Sequence, residues 1–100
     1  MIQHIVMFKL QALPTKNEKL DIINTIKSAL ETLPSKIEQI KYFEVGINLL
    51  ELERAFDFVL VSQFNSLEDL KIYADHPEHQ KVVTLIRKYS EKTFSVDYEK

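Results

Sequence analysis

Phe56-Asp57-Phe58-Val59-Leu60-Val61-Ser62-Gln63-Phe64 is the stretch that gives the strongest structural signal in this sequence. Aromatic and β-branched residues dominate it, and these residue types favour a pleated sheet. Large side chains recur at every second position, which places Phe56, Phe58, Leu60 and Phe64 on one face and Val59 and Val61 on the other. This alternation predicts a β-strand over residues 56–64.

Three further segments have strand character. Residues 2–10 are apolar on both faces, as in a strand that is covered on both sides. Residues 40–48 alternate and contain the only glycine, Gly46, which within a strand usually marks a bulge or a close backbone approach. Residues 93–98 alternate again at the end of the chain. Residues 49–55 are expected to form a loop before the central strand.

The remaining segments predict helices. Thr15 and Glu18 have the spacing of a capping box, and apolar residues follow them at three- and four-residue steps up to Pro34. A short second helix is expected after the cap residue Ser66. Its predicted buried stripe consists of Leu67, Leu70, Tyr73 and Ala74. A third helix is expected to start at Pro77, because proline suits the first helical position. Its apolar residues are Val82, Val83, Ile86 and Tyr89.

The resulting order is βαββαβ, an α+β arrangement of the ferredoxin-like type with a four-stranded antiparallel sheet. Both helical units should pack on the more apolar face of the sheet. We assign Val6, Phe8, Phe58, Leu60, Phe94 and Val96 to that face. The opposite face would then expose Ile5, Met7, Val59 and Val61. Because monomers seldom leave such a patch uncovered, we expect a homodimer in which two sheets face each other.

Composition restricts the class of protein. The 100 residues are expected to form a single domain, residues 1–100, and the net charge of −2 comes without a basic stripe, which argues against nucleic-acid binding. The lack of cysteine excludes disulfides and thiolate chemistry. No apolar run approaches the ~20 residues that span a bilayer, and the first residues do not resemble a signal peptide. A cytoplasmic protein without membrane association is therefore expected.

The segment from Tyr73 to Gln80 carries the candidate chemistry, because it holds two of the three histidines. With Pro77 at the first position of a helix, Asp75 or His76 would be the N-cap and His79 would lie in the first turn. Imidazoles and a phenol at a helix break could form a small acid–base or ligand-binding site. The same residues could equally form a capped helix junction with partly exposed histidines.

Metal and cofactor sites are not predicted. His76 and His79, with the neighbouring carboxylates, offer too few convergent ligands for zinc, which requires three or four. With one glycine in the chain, a glycine-rich phosphate loop is excluded as well.

Several motifs together resemble the stress-responsive A/B barrel (Dabb) family. They are His4-Ile5-Val6-Met7-Phe8-Lys9, Phe43-Glu44-Val45-Gly46-Ile47-Asn48, Phe56-Asp57-Phe58-Val59-Leu60-Val61, Ser66-Leu67-Glu68-Asp69-Leu70 and Tyr73-Ala74-Asp75-His76-Pro77-Glu78-His79. They occur in the family's order and spacing over essentially the whole chain. The resemblance implies a dimeric α+β barrel, in which two ferredoxin-like sheets face each other and the helices lie outside.

The resemblance also implies site residues. Some plant members of the family are polyketide cyclases in which a histidine and a tyrosine of the helical motif perform acid–base chemistry. By position these match His79 as the base and Tyr73 as the hydrogen-bond donor, while His4 and His76 match pocket histidines. Those cyclases carry a further histidine where this chain has Phe58. The substitution makes the expected pocket more apolar and departs from the cyclase pattern.

Three functions remain open from the sequence. The first is a small-molecule-binding barrel protein, for which the resemblance implies a stress-related role, with a small apolar or aromatic ligand contacted by His4, Phe58 and His76. The second is a polyketide-cyclase-like or lyase-like enzyme that uses His79 as general base and Tyr73 as oxyanion donor. The third is a structural, stress-associated dimer with no small-molecule site. An apolar cavity beside His79 would favour the first two, and a filled interior would favour the third.

Overall fold

Four strands and three α-helices alternate along the chain in the computed structural model, which describes all residues from Met1 to Lys100. The strands form one antiparallel sheet in the order β2-β3-β1-β4. The predicted α+β, ferredoxin-like fold class is therefore confirmed. The elements are β1 Ile2–Leu10, α1 Lys16–Glu31, β2 Tyr42–Ile47, β3 Phe58–Phe64, α2 Leu67–Asp75, α3 Pro77–Tyr89 and β4 Ser90–Glu99, with a short 3₁₀ turn, Leu33–Ser35, after α1.

Side-chain caps fix where the helices begin. The hydroxyl oxygen of Thr15 accepts the backbone N–H of Glu18 at 3.1 Å at the start of α1. Ser66 accepts the N–H of Asp69 at 3.1 Å and starts α2 in the same way. Each bond satisfies an N–H group that has no partner within its helix. No helix is long and apolar enough to cross a bilayer.

The hydrophobic core lies between the helices and one face of the sheet. Its centre contains the stacked rings of Phe8 and Phe58, whose centroids are 4.6 Å apart. The other buried apolar residues on this side include Val6, Leu10, Ile23, Ile26, Leu30, Leu60, Phe64, Val82 and Ile86. Leu67 was expected in the buried stripe of α2 but is 65% exposed, because it occupies the first position of the helix at the rim of the packed layer.

The prediction for the faces of β4 was wrong. In the register of the sheet, Val6 pairs with Ser95 and Met7 pairs with Phe94. Paired residues share a face, so Phe94 and Val96 lie opposite the helices, where they are 57% and 52% exposed. Strand β4 is an edge strand with one partner, so the register of β1 decides which side of β4 faces the helices. Thr93 and Ser95 lie on that side.

The sheet surface opposite the helices is consequently more apolar than the sequence suggested. We call it the open face. It is formed by Ile5, Met7, Val59, Val61, Phe94, Val96 and Tyr98. Strand lengths also differ from expectation: β2 is shorter, β3 begins at Phe58, and β4 begins at Ser90 because it pairs with β1 as far as Leu10.

Replacing Phe8 should test this core directly. We expect Phe8→Ala to lower the free energy of unfolding by about 3–5 kcal/mol, since it removes a stacked, buried ring and leaves a cavity. Urea denaturation followed by circular dichroism measures the change. Leu49→Ala is the control: Leu49 is 91% exposed, and a surface change of this kind should stay within ~0.5 kcal/mol. Equal losses in the two variants would contradict the assigned core.

Candidate functional site

A cavity of about 450 Å³ lies between the inner side of α3 and strands β1 and β4. This volume is in the range of small-molecule sites. Its middle is apolar and is lined by Val6, Phe8, Leu30, Leu60, Val82, Val83 and Ile86. His4, Tyr73 and His79 line it as well. A larger hollow of about 710 Å³ lies at the start of α1, but it contains none of the predicted site residues.

The break between α2 and α3 brings the site together. His76 has an extended backbone, with φ −64° and ψ 134°, as the residue before a proline prefers. The chain therefore changes direction at His76, and Pro77 starts a new helix. Tyr73 from α2 and His79 from α3 come into contact, with ring centroids 4.3 Å apart.

His79 is held in one orientation by a backbone bond. Its Nδ1 lies 2.9 Å from the carbonyl oxygen of Ala74, so Nδ1 carries the proton and donates it. In the neutral ring the lone pair is then on Nε2. Burial lowers the pKa of His79, and the neighbouring His4 and His76 lower it further when they are charged, which outweighs the Ala74 bond. The ring is therefore largely uncharged at pH 7.

Tyr73 is buried among aromatic side chains, and its hydroxyl has no hydrogen-bond partner. The ring of Phe64 lies 4.9 Å away between centroids, and those of His4 and Phe43 lie 6.3 Å and 6.4 Å away. Burial raises the pKa of Tyr73 well above its ordinary value. The phenol thus keeps its proton and can act as a donor.

His4 reaches the cavity from β1 and is paired with an acid that the sequence analysis missed. Nδ1 of His4 is within hydrogen-bonding distance of Oδ1 of Asp97, its cross-strand neighbour on β4. This contact orients the imidazole and leaves Nε2 free. The two residues are 93 positions apart in the chain, and the pairing register of β1 with β4 brings them together. Local sequence does not show this register, so the pair was missed.

Two predicted site residues lie elsewhere. Phe58 stacks on Phe8 in the core and does not line the cavity. His76 is the N-cap of α3, where its Nδ1 accepts the N–H of Glu78 at 3.1 Å. The helix junction is therefore a capped turn, and residues on either side of it also line the cavity. His4, Tyr73 and His79 are brought together there, and their chemical roles stay predictions.

Tyr73 and His79 lie side by side in the lining of a cavity whose middle is apolar. Such a pair can hold a carbonyl or hydroxyl group, and a neutral imidazole can also accept a proton from a substrate. No group of three or more His, Asp or Glu side chains is placed to bind a metal ion.

Residues 2–100 match the family model described as the stress responsive A/B barrel domain. The chain belongs to this family. An uncharacterized protein from Streptomyces coelicolor is 31% identical over 99% of both chains. A stress-response A/B barrel domain-containing protein from Arabidopsis thaliana, DABB1, is 33% identical over 97% of this chain, which spans 46% of that protein.

Among solved structures, the chain is similar to a dimeric protein of unknown function with a ferredoxin-like fold from Bacteroides fragilis. The two are 39% identical with a TM-score of 0.89, over 99% of this chain and 95% of the other. The match extends over the whole βαββαβ unit, so the family relation includes the elements that carry the cavity.

The lowered pKa of His79 has a measurable consequence. We expect its imidazole to titrate below the ordinary value of about 6.5. The unfolded state then binds a proton more readily than the folded state does. The contribution of His79 to the free energy of unfolding is therefore complete above pH ~6.5 and is lost as the pH falls through the folded-state pKa. The ring resonances of His79 in a pH series by NMR give the midpoint, with the urea-unfolded protein as reference. A midpoint at or above that of the unfolded chain would contradict the described burial.

Proposed function

We propose that this protein binds a small, largely apolar molecule in the cavity beneath α3. The observation that carries the proposal is the cavity itself, which Tyr73 and His79 line side by side. The hydroxyl of Tyr73 is buried and has no hydrogen-bond partner. A buried hydroxyl left unpaired costs about 1–3 kcal/mol. A ligand oxygen that accepts its proton would remove this cost, and the adjacent Nε2 of His79 could accept a proton from the same ligand.

A cyclase-like or lyase-like enzyme is the second candidate. The pairing of Tyr73 and His79 favours it, because a neutral imidazole suits a general base and a protonated phenol suits the stabilisation of developing oxyanion charge. In this case the two side chains would lower the barrier of a reaction, and their loss would reduce kcat more than affinity. A purely structural role is less favoured, since the space beside His79 is a cavity. The cytoplasmic location stays a prediction.

We also propose that the protein is a homodimer through the open face. Phe94, Val96 and Met7 are about half exposed there, and they adjoin Ile5, Val59 and Val61. A contiguous apolar surface of this kind is usually covered. A second copy related by a two-fold axis would bury the same patch on both chains, and the similar Bacteroides protein is dimeric.

Tyr73→Phe should separate binding from stability. Removing an unpartnered buried hydroxyl should leave the free energy of unfolding unchanged or raise it by up to about 2 kcal/mol, because the desolvation cost disappears. The same change should weaken the binding of an apolar alcohol about five- to tenfold. Urea denaturation and NMR titration with decanol and benzyl alcohol measure the two effects.

The matched histidine variants are His79→Ala and His76→Ser. His79→Ala should weaken alcohol binding by about tenfold or more, the free energy of one or two hydrogen bonds. His76→Ser should leave binding intact, since serine preserves the N-cap and His76 does not line the cavity. Equal effects of the two variants, or no shift of the His79 resonances by either alcohol, would count against the proposed site.

The dimer has its own test. Val96→Lys places a charge in the middle of the open face and should convert the dimer to a monomer, because an unpaired ammonium would have to be buried at the contact. Size-exclusion chromatography with light scattering at micromolar concentration measures the mass. Glu31→Lys, on the exposed side of α1, is the control and should leave the dimer unchanged. A monomeric parent protein would contradict the proposal.

A further inference from the structure

The cavity has two polar ends separated by an apolar middle. Along the inner side of α3, the lining residues follow one another at alternating steps of three and one: His79, Val82, Val83, Ile86 and Arg87. At 1.5 Å per residue, His79 and Arg87 are about 12 Å apart along the helix axis. The first end holds His79 with Tyr73 and His4, and the second holds Arg87 with hydroxyls of β4.

The second end carries an arginine that has no ion-pair partner. Arg87 takes part in none of the ion pairs of the structure. The hydroxyl residues of β4 in the lining are Ser90, Thr93 and Ser95. Ser95 lies opposite Val6, next to the apolar middle. Glu91 and Lys92 also border this end. Lys92 pairs with Lys9 across the sheet and lies on the same side as Phe94, the open face. Arg87 is therefore the cation on the helix side.

We propose that the ligand of this cavity is an amphipathic monocarboxylate, whose carboxylate pairs with Arg87 at the mouth. Its apolar body lies between Val82 and Ile86 on one side and Val6 and Leu60 on the other. A second oxygen, such as a hydroxyl or carbonyl, reaches the Tyr73–His79 end. The inference rests on the proposed small-molecule site and adds the chemical class and orientation of the ligand.

Three features of the site fit a carboxylate. A guanidinium can donate two parallel N–H groups to its two oxygens. Thr93, whose Oγ1 lies 3.1 Å from Oγ of Ser90, can donate one further bond. Arg87 is in no ion pair within the protein and can therefore pair with a ligand. The distance of about 12 Å between the ends then requires an extended apolar body, since a shorter acid could not reach Tyr73 from Arg87.

A simpler role for Arg87 is to complement the dipole at the C-terminus of α3. Lys88 lies in the same last turn and can fill that role as well, but it does not line the cavity. The two neighbouring cations therefore form a matched pair. If Arg87 serves only the helix, Arg87→Gln and Lys88→Gln should behave alike. If it holds a ligand, only Arg87→Gln should affect binding.

The experiment compares decanoate, decanol and ω-hydroxydecanoate as probes by isothermal titration and NMR. In the parent protein decanoate should bind about tenfold more tightly than decanol, because only the acid forms charge-assisted bonds. Arg87→Gln should abolish this preference, and Lys88→Gln should retain it. Omega-hydroxydecanoate should bind more tightly than decanoate, and Tyr73→Phe should remove that gain. Arg87→Lys, which keeps the charge and the helix dipole, should give an intermediate affinity for decanoate.

The outcomes distinguish the carboxylate assignment from the apolar site itself. If acid and alcohol bind equally to the parent protein, or if the two glutamine variants lose the preference equally, the carboxylate assignment is overturned while the apolar site stands. If none of the three probes binds, both are overturned. If decanoate still binds more tightly than decanol in Arg87→Lys and Lys88→Gln but not in Arg87→Gln, the assignment of the carboxylate to Arg87 holds.

Discussion

The break at Pro77 is the constraint on which the candidate site depends. A proline cannot continue α2, because it lacks an N–H and its ring clashes with the preceding turn. The extended backbone of His76 redirects the chain, and its side chain caps the new helix. Two short helices thus replace one long helix, so that Tyr73 and His79 approach each other from different axes. In a continuous helix they would be six residues apart and would point to different sides.

Desolvation sets the character of the site. Burial keeps the His79 ring neutral and the Tyr73 phenol protonated, so one offers a lone pair and the other a proton. The neighbouring His4 is oriented by Asp97. An unpaired hydroxyl in this position lowers the stability of the fold, because buried polar groups are otherwise nearly always hydrogen-bonded.

Local sequence signals were sufficient for the helices and the central strands, because caps and apolar periodicity act over a few residues. The capping by Thr15 and Ser66 and the start of α3 at Pro77 could be read directly. The faces of β4 could not, since an edge strand takes its register from β1 and its alternation fits either face. The pairing of His4 with Asp97 depends on that same register. The position of Phe58 away from the cavity depends on its stacking with Phe8, which is a tertiary contact.

Strand β1 carries large apolar side chains on both of its faces. His4, Val6 and Phe8 lie on the side that faces the helices, while Ile5 and Met7 lie on the open face. Since side chains alternate with a period of two, inserting a single residue in this strand would exchange the two surfaces for everything beyond the insertion. Methionine would enter the core and phenylalanine would leave it. The strand can therefore tolerate substitutions of similar shape far more readily than any change in its length.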